Sequence, residues 1–471
     1  MKKNFYITTT LPYVNSDPHV GFALEIVQAD ALARYHKLLG ENVVFNFGTD
    51  EHGQKIYEKA LKEGKDLQKY CDEYAVKFDA LKKALNLSYT NFIRTTDPKH
   101  IKAAQEFWKL CDKNGDIYKK LYKTKYCVGC ELEKTDSELV DSRCPLHPNQ
   151  ELEIIEEENY FFKFSKYQKP LLEFYEKNPD FVVPAGKFNE IKTFVENGIS
   201  DFSISRLKSK LPWGIPVPGD DTQVMYVWFD ALINYISTLG WPGDKKNFED
   251  FWPGIQVAGK DNLRQQTAIW QAMLLSAGIP NSKQVFIHGF ITINGQKISK
   301  SLGNTINPIE VAEKYGTDAL RYYLLAKINP YEDSDFAFEK FEETYNGELA
   351  NGLGNLTSRV AKLCEKPGFE FHYIDIYQYS EQIGKQLEQY RFDQALKIIW
   401  EDVTETDKYI NEKEPWKLEG ENLKEVLDKS VKSIRQIAHN LKPFLPKTAE
   451  KIEGQFAGPE IKSQPALFPR L

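Results

Sequence analysis

Residues 5 to 39, FYITTTLPYVNSDPHVGFALEIVQADALARYHKLL, decide the fold. Phe5 to Thr9 is an apolar and β-branched run, Pro12 and the stretch from Asn15 to Pro18 break it, and from Ala23 to Leu39 apolar residues recur at helical spacing. Those are the marks of a strand, a loop and a helix. A second β-rich run, Asn42 to Phe47, ends in the polar turn Thr49 to Gly53 before a long helical stretch from Lys55. Strands alternating with helices predict an α/β fold, a doubly wound parallel sheet of Rossmann type with ligands bound where the loops leave the strands. The sheet pattern resumes at Met225 to Phe229, Ile255 to Ala258 and Val285 to His288.

Composition changes near Gly115. From 116 to 222 the chain carries a cysteine cluster, the acidic run Glu156 to Glu158 and several prolines, which reads as an insertion between two halves of the sheet domain, 1–115 and 223–340. Beyond Phe341 helical spacing continues almost to Leu471, with breaks at Pro367 to Tyr377 and at Pro415, and predicts a helical bundle over 341–471. No window approaches the roughly 18 apolar residues of a membrane span. The opening MKKNFYITTTLPYV lacks the apolar centre and cleavage site of a signal peptide, so a cytoplasmic protein is expected. Cys71, Cys111 and Cys364 lie singly in helix-like stretches and read as buried residues, not as a disulfide framework. The net charge of −7 gives no hint of a nucleic-acid partner, because phosphate-binding proteins usually show a basic excess or face.

Three local patterns carry chemistry. Pro18-His19-Val20-Gly21-Phe22 opens the first helix, whose free N–H groups and dipole favour an anion. Gly21 lets a nucleotide lie close to the backbone there, and His19 can donate to a phosphate. Lys297-Ile298-Ser299-Lys300-Ser301, flanked by Gly295 and Gly303, puts two ammonium groups on one loop. Read alone, the first is a turn with a surface histidine and the second is solvated surface. Cys127-Val128-Gly129-Cys130 and Cys144-Pro145-Leu146-His147 are ligand pairs with two-residue gaps, 13 residues apart. Such pairs turn back on themselves so that four donors converge as structural zinc requires, with no position left open for catalysis.

Taken together, the first two patterns resemble the signatures of the class I aminoacyl-tRNA synthetases, in the expected order and with an insertion between them. The resemblance extends over nearly the whole chain to the methionyl-tRNA synthetase family. It is carried by Thr10-Leu11-Pro12-Tyr13-Val14-Asn15, Gly48-Thr49-Asp50-Glu51-His52-Gly53, Trp228-Phe229-Asp230-Ala231-Leu232-Ile233-Asn234-Tyr235 and the triplet Gly259-Lys260-Asp261. It implies activation of L-methionine with ATP and Mg²⁺ to methionyl-adenylate, then transfer to the 3′ end of methionine tRNA. His19, Lys297 and Lys300 are then the catalytic residues, and Gly21, Gly259 and Asp261 join His19 and Lys300 in holding ATP. Leu11, Tyr13, Asp50, Trp228, Ala231, Tyr235, Gln266 and Trp270 line the amino-acid pocket, with Asp50 on the α-ammonium. Asn351, Asn355, Arg359 and Trp416 read the anticodon. A knuckle holding one structural zinc belongs to the insertion, and the end of the chain at Leu471 leads to the expectation of a monomer.

Two positions depart from the family pattern. Phe22 stands where the nucleotide signature usually ends in a second histidine, and Asn262, Gln265 and Gln266 stand where relatives commonly carry isoleucine, phenylalanine and histidine. Phe22 cannot donate to phosphate, and the two glutamines make the pocket floor polar. These departures leave two alternatives open: a class I synthetase for another amino acid, and a weakly catalytic tRNA-binding relative.

Overall fold

Parallel strands covered on both faces read as continuous apolar runs, and the first strand, β1 (Asn4–Thr9), is buried from Phe5 onward. The computed structural model describes residues 2–134, 136–298, 304–365, 368–372 and 377–471. After β1 come helix α1 (Val20–Leu38), β2 (Asn42–Thr49) and β3 (Asn91–Arg94). Three later strands complete the central sheet: β4 (Val182–Val183), β5 (Ile255–Gly259) and β6 (Gln284–His288). Their order is β3-β2-β1-β5-β6-β4, and every pair is parallel. The chain winds outward from β1 in one direction and returns beside it at β5, so the strand order reverses between them. In such sheets ligands bind in the crevice outside the carboxyl ends at that point.

The expected strand at Met225 to Phe229 is corrected. Asp220–Met225 is a strand, but it pairs antiparallel with Ser205–Leu207 and Pro216–Val217, outside the central sheet, and Val227–Ala231 is a helical turn. A short apolar run such as Met-Tyr-Val-Trp-Phe does not distinguish strand from buried helix by periodicity. The buried Asp230 settles the matter, because its carboxylate is fixed by His52 and His100 at 2.6 and 2.8 Å. Two elements escaped the sequence reading. The strand β3 is only four residues long, and β4 is two residues before Pro184. The stretch from Lys55 is two helices, Gln54–Lys62 and Leu67–Ala84, parted at Gly64, whose φ of 63° suits glycine.

Between β3 and β5 lies a four-stranded antiparallel sheet whose order is Leu132–Lys134, Ile117–Cys127, Glu153–Phe162 and Phe202–Ser203. Beyond residue 337 the described chain is mainly helical: Phe338–Thr344 widens into a π-helical stretch, Tyr345–Gly354, and continues as Asn355–Glu365. Phe392–Lys413 and Gly420–Leu441 pack beside it. Of the expected break at Pro367 to Tyr377, Pro367 and residues 373–376 lie outside the described residues. Cys71, Cys111 and Cys364 are all buried in helices. Among the described residues no helix is long and apolar enough to cross a membrane.

Sheet and bundle are joined by Arg321, a fully buried side chain on the helix Thr317–Ala326. Its guanidinium reaches Asp30 of α1 at 2.7 Å and donates to the carbonyls of Leu85, Pro443 and Phe444 at 3.2, 3.1 and 2.7 Å. Asp30 also accepts from Arg34 and from Ser88, so neither charge is left unmatched. Removing one partner of a buried pair strands the other. Asp30→Ala should therefore destabilise the protein by about 3–5 kcal/mol, read by denaturant unfolding, and a loss below about 1 kcal/mol would show that the pair is peripheral.

Candidate active site

At the carboxyl ends of β1 and β5 the loops enclose a cavity of about 310 Å³. The loop after β1 contributes Leu11 and Tyr13, the end of β2 leads to Asp50, and the helical stretch after residue 226 contributes Trp228, Ala231 and Tyr235. Asp261, Gln265 and Gln266 close it from the segment after β5. The first two loops are laced together by Asp50 N–H donating to Pro12 O at 2.9 Å and Val14 N–H to Asp50 O at 3.1 Å. Seven of the eight residues expected around the amino acid thus meet in one cavity. Trp270 does not line it; the indole is fully buried behind the wall, with its ring centre 5.9 Å from that of Tyr235.

Asp50 is a buried acid in the cavity wall. Burial, and next the neighbouring carboxylates of Asp230 and Glu131, push its carboxyl well above the ordinary carboxylate range. A carboxyl so placed is poised to gain from a cationic ligand. Glu131 was not anticipated. It is buried beside the cysteine cluster, and its backbone, at φ 50°, carries a carbonyl that accepts from the Trp228 indole at 3.3 Å. Lys55 fastens the same loop by donating to Gly129 O at 2.6 Å. Only its position one residue after Cys130 could have drawn attention to Glu131 in the sequence.

His19 is the N-cap of α1, and its Nδ1 accepts from Gly21 N–H at 3.1 Å. A Cβ on residue 21 would come within 2.9 Å of the imidazole, so glycine lets the ring fold over the helix end. Phe22 stacks on that imidazole with centroids 4.3 Å apart and lines the cavity beside it. Lys297 ends the short strand Gln296–Lys297, while Lys300 lies outside the described residues.

A second unanticipated residue holds these loops in place. Glu25, on α1, is buried; its Oε1 accepts from the N–H and hydroxyl of Thr10 at 2.7 and 2.6 Å. Its Oε2 accepts from Gly259 N–H at 3.1 Å and contacts His288 Nε2 at 3.0 Å. One carboxylate thereby ties the ends of β1, β5 and β6. The signal in the sequence is an acid inside the apolar run Ala23-Leu24-Glu25-Ile26-Val27, where an unpaired charge would be costly.

Cys127, Cys130, Cys144 and His147 converge, all four ligand atoms lying within 4.8 Å of one another. Cys130 Sγ stands 3.2 Å from His147 Nδ1 and 3.4 Å from Cys144 Sγ, and Cys127 Sγ is 3.7 Å from that nitrogen. A group of three sulfurs and one imidazole at such spacing can hold a metal ion. In the bundle, Arg359 spans Asp407 and Asn411 at 3.0 and 2.7 Å and lies 5.2 Å from the centre of the Trp416 ring. Trp416 is 52 % exposed. Asn351 accepts from Arg470 at 2.6 Å, and Asn355 is exposed one turn from Arg359.

A parallel sheet with a nucleotide-type helix end at its switch point, split by an insertion and followed by a helical bundle, defines a class I aminoacyl-tRNA synthetase. The family model for tRNA synthetases class I (M) matches residues 5–151 and 129–361. The methionine–tRNA ligase of Thermotoga maritima is 42 % identical over 95 % of this chain and 74 % of its own length. That of Thermosynechococcus vestitus is 40 % identical over the whole of this chain and 93 % of its own. The structure of Mycobacterium tuberculosis methionyl-tRNA synthetase in complex with methionyl-adenylate superposes with a TM-score of 0.93 at 33 % identity, covering 99 % of this chain and all of the other. The chain belongs to the methionyl-tRNA synthetase family and is a methionine–tRNA ligase.

The clamp at Glu25 has a pH signature. Burial lowers the basicity of His288, but the hydrogen bond and charge of Glu25 outweigh it and leave the imidazole above its ordinary value. A histidine whose folded value is raised stabilises the fold fully below its unfolded value of about 6.5 and loses that contribution as pH rises through the folded value. The unfolding free-energy difference between the parent and Glu25→Gln should therefore be largest below about pH 6.5 and shrink at higher pH. A difference constant from pH 5 to 9 would remove His288 from the account.

Proposed function

We propose that the cavity at the ends of β1 and β5 is where this methionine–tRNA ligase activates L-methionine with ATP, and that the residues act as follows. The observation that carries the reading is the meeting, in one cavity, of residues from four separated stretches of chain around the buried Asp50. Asp50 takes the α-ammonium, and the side chain lies among Leu11, Tyr13, Trp228, Ala231 and Tyr235, with Gln266 beneath and Trp270 backing Tyr235. Aromatic walls suit a polarizable thioether. Gly21 and Gly259 let the nucleotide approach the backbone, and Asp261 holds the ribose hydroxyls.

A methionine carboxylate oxygen attacks the α-phosphorus, the bond to the β-phosphate breaks, and pyrophosphate leaves. His19, Lys297 and Lys300 stabilise the charge that grows on the phosphates, a largely electrostatic task. Mg²⁺ bound with ATP screens the same charge. A hydroxyl of the terminal adenosine of methionine tRNA then attacks the activated carbonyl and AMP departs. Phe22 stacks on His19 and keeps its ring at the helix end without contacting phosphate as a donor.

The parts of the chain divide the work. Residues 1–115 and 223–340, together with the edge strand Val182–Val183, form the catalytic domain, the rest of 116–222 the insertion with its zinc knuckle, and 341–471 the anticodon-binding bundle. Asn355 and Arg359 bond base edges, with Asn351 on the same anticodon face, and Trp416 stacks on a base, which its exposed ring permits.

Two measurements test this. The protein should support methionine-dependent pyrophosphate exchange, and Trp416→Ala and Arg359→Ala should leave exchange intact while lowering kcat/KM for tRNA charging roughly 5- to 150-fold, the worth of one lost base stack. Parallel loss of both reactions would place Trp416 in the structural core instead. Fresh protein should also contain about one zinc per chain, released in Cys130→Ser or Cys144→Ser with a lower melting temperature, because structural zinc binding contributes folding energy. Metal analysis well below one equivalent would exclude the knuckle.

A further inference from the structure

The short hairpin that leads into the lysine-serine stretch is gripped at its tip by one carboxylate. Ile291–Ile293 turns back on Gln296–Lys297 through Asn294 and Gly295, whose φ values of 53° and 70° suit a two-residue turn. Two paired residues a side are too few to hold the direction of a hairpin by themselves. Ile291 and Thr292 pair on their other side with Ser334–Asp335, and Asp335 Oδ1 accepts from the Thr292 hydroxyl and from the Gly295 N–H, both at 2.8 Å. The Gly295 bond, more than any other cause, holds the Asp335 carboxyl below the ordinary carboxylate range. Asp335 is itself anchored, because the next residue, Phe336, is buried against the rings of Tyr323 and Phe341. At the far end of the hairpin the chain reaches α1: Ile298 Cδ1 lies 3.9 Å from where a Cβ on Gly21 would stand.

We infer that Asp335 is a positioning residue for adenylate formation, fixing the hairpin tip and thereby the course of the strand that ends at Lys297. This rests on the reading that gives Lys297 a share of the charge growing on the phosphates. At about 3.3 Å per residue the strand carries Lys297 roughly 7 Å beyond the gripped Gly295 amide, so a released tip lets that end tilt. A misplacement of about 1 Å can cost about a hundredfold in rate where catalysis rests on fixed geometry. Among the described residues, neither the hairpin nor Asp335 belongs to the wall of the amino-acid cavity. Asp335 therefore bears on the rate of adenylate formation and leaves the hold on methionine alone. Because both accepted bonds end on one oxygen, the amide oxygen of an asparagine can take the place of the carboxylate.

The test measures the single-turnover rate of adenylate formation, with the KM for methionine taken from pyrophosphate exchange. Asp335→Ala should slow the reaction about 5- to 150-fold, the worth of two hydrogen bonds, while the KM for methionine stays within about twofold of the parent. Asp335→Asn, which keeps the accepting oxygen, should stay within about threefold of the parental rate. Thr292→Val removes one of the two bonds without changing shape, so it should slow the reaction about two- to tenfold and covers the case in which Asp335→Ala folds poorly. Lys297→Ala should slow adenylate formation too, and adding Asp335→Ala to it should cost far less than Asp335→Ala costs alone, because both act on one group. If Lys297→Ala is slow while Asp335→Ala and Thr292→Val run at the parental rate, the inference is refuted and the role of Lys297 stands. A parental rate in Lys297→Ala would remove that role and the inference together. An asparagine variant as slow as the alanine one, or a KM for methionine that rises as the rate falls, would mean a merely structural role and likewise overturns the inference.

Discussion

The Glu25 carboxylate is the constraint on which the active site depends. Open parallel sheets leave a crevice where strand order reverses, but a crevice alone does not orient the loops around it. Here one buried acid accepts from Thr10 after β1, from Gly259 at the end of β5 and meets His288 at the end of β6. The loop bearing Leu11 and Tyr13 and the loop bearing Asp261 are thereby set against the helix whose first turn presents His19 and Gly21. A side chain whose lone pairs are used in this way has little rotamer freedom left, which is what preorganised electrostatic catalysis asks of its support.

The acids around the cavity differ in how well they are matched. Asp50, Asp230 and Glu131 crowd a low-dielectric space. Asp230 is matched by His52 and His100 and stays below the ordinary carboxylate range, despite the burial that opposes this. Asp50 has no such matched partners and is pushed upward, as Glu131 is by burial. A cation placed among these acids would relieve their crowding. The knuckle takes part in this, since Glu131 and the carbonyl that receives the Trp228 indole belong to its loop.

Much of this was legible in the sequence, and the failures have physical causes. Strong periodicity located β1, α1 and β2, and the two-residue gaps of the cysteine pairs located the group of four side chains that could hold a metal, because both are local patterns. The run at Met225 to Phe229 misled because its conformation is decided by a tertiary contact, the burial of Asp230 between two histidines from distant segments. Strands β3 and β4 were too short to show a period. Glu25 and Glu131 meet partners far along the chain, up to 263 residues away for Glu25 and His288, and no local spacing encodes such pairs. Trp270 was expected to line the amino-acid pocket, but its place in the sequence does not say whether its ring faces the cavity or stands behind Tyr235.

The same helix that serves the chemistry also reaches the bundle. Along α1, His19 caps the first turn, Glu25 binds the strand ends and Asp30 meets Arg321, whose remaining donors end on the carbonyls of Pro443 and Phe444. At about 1.5 Å per residue, the eleven steps from His19 to Asp30 span roughly 17 Å of rigid rod. Buried ionic and hydrogen-bonded contacts resist sliding in a way that apolar packing does not, because displacement leaves polar groups unmatched. The bundle that carries Arg359 and Trp416 is consequently held in register with the cavity through α1. The spacing between cavity and bundle is thereby set by a buried guanidinium and a helix rather than by a pliant linker.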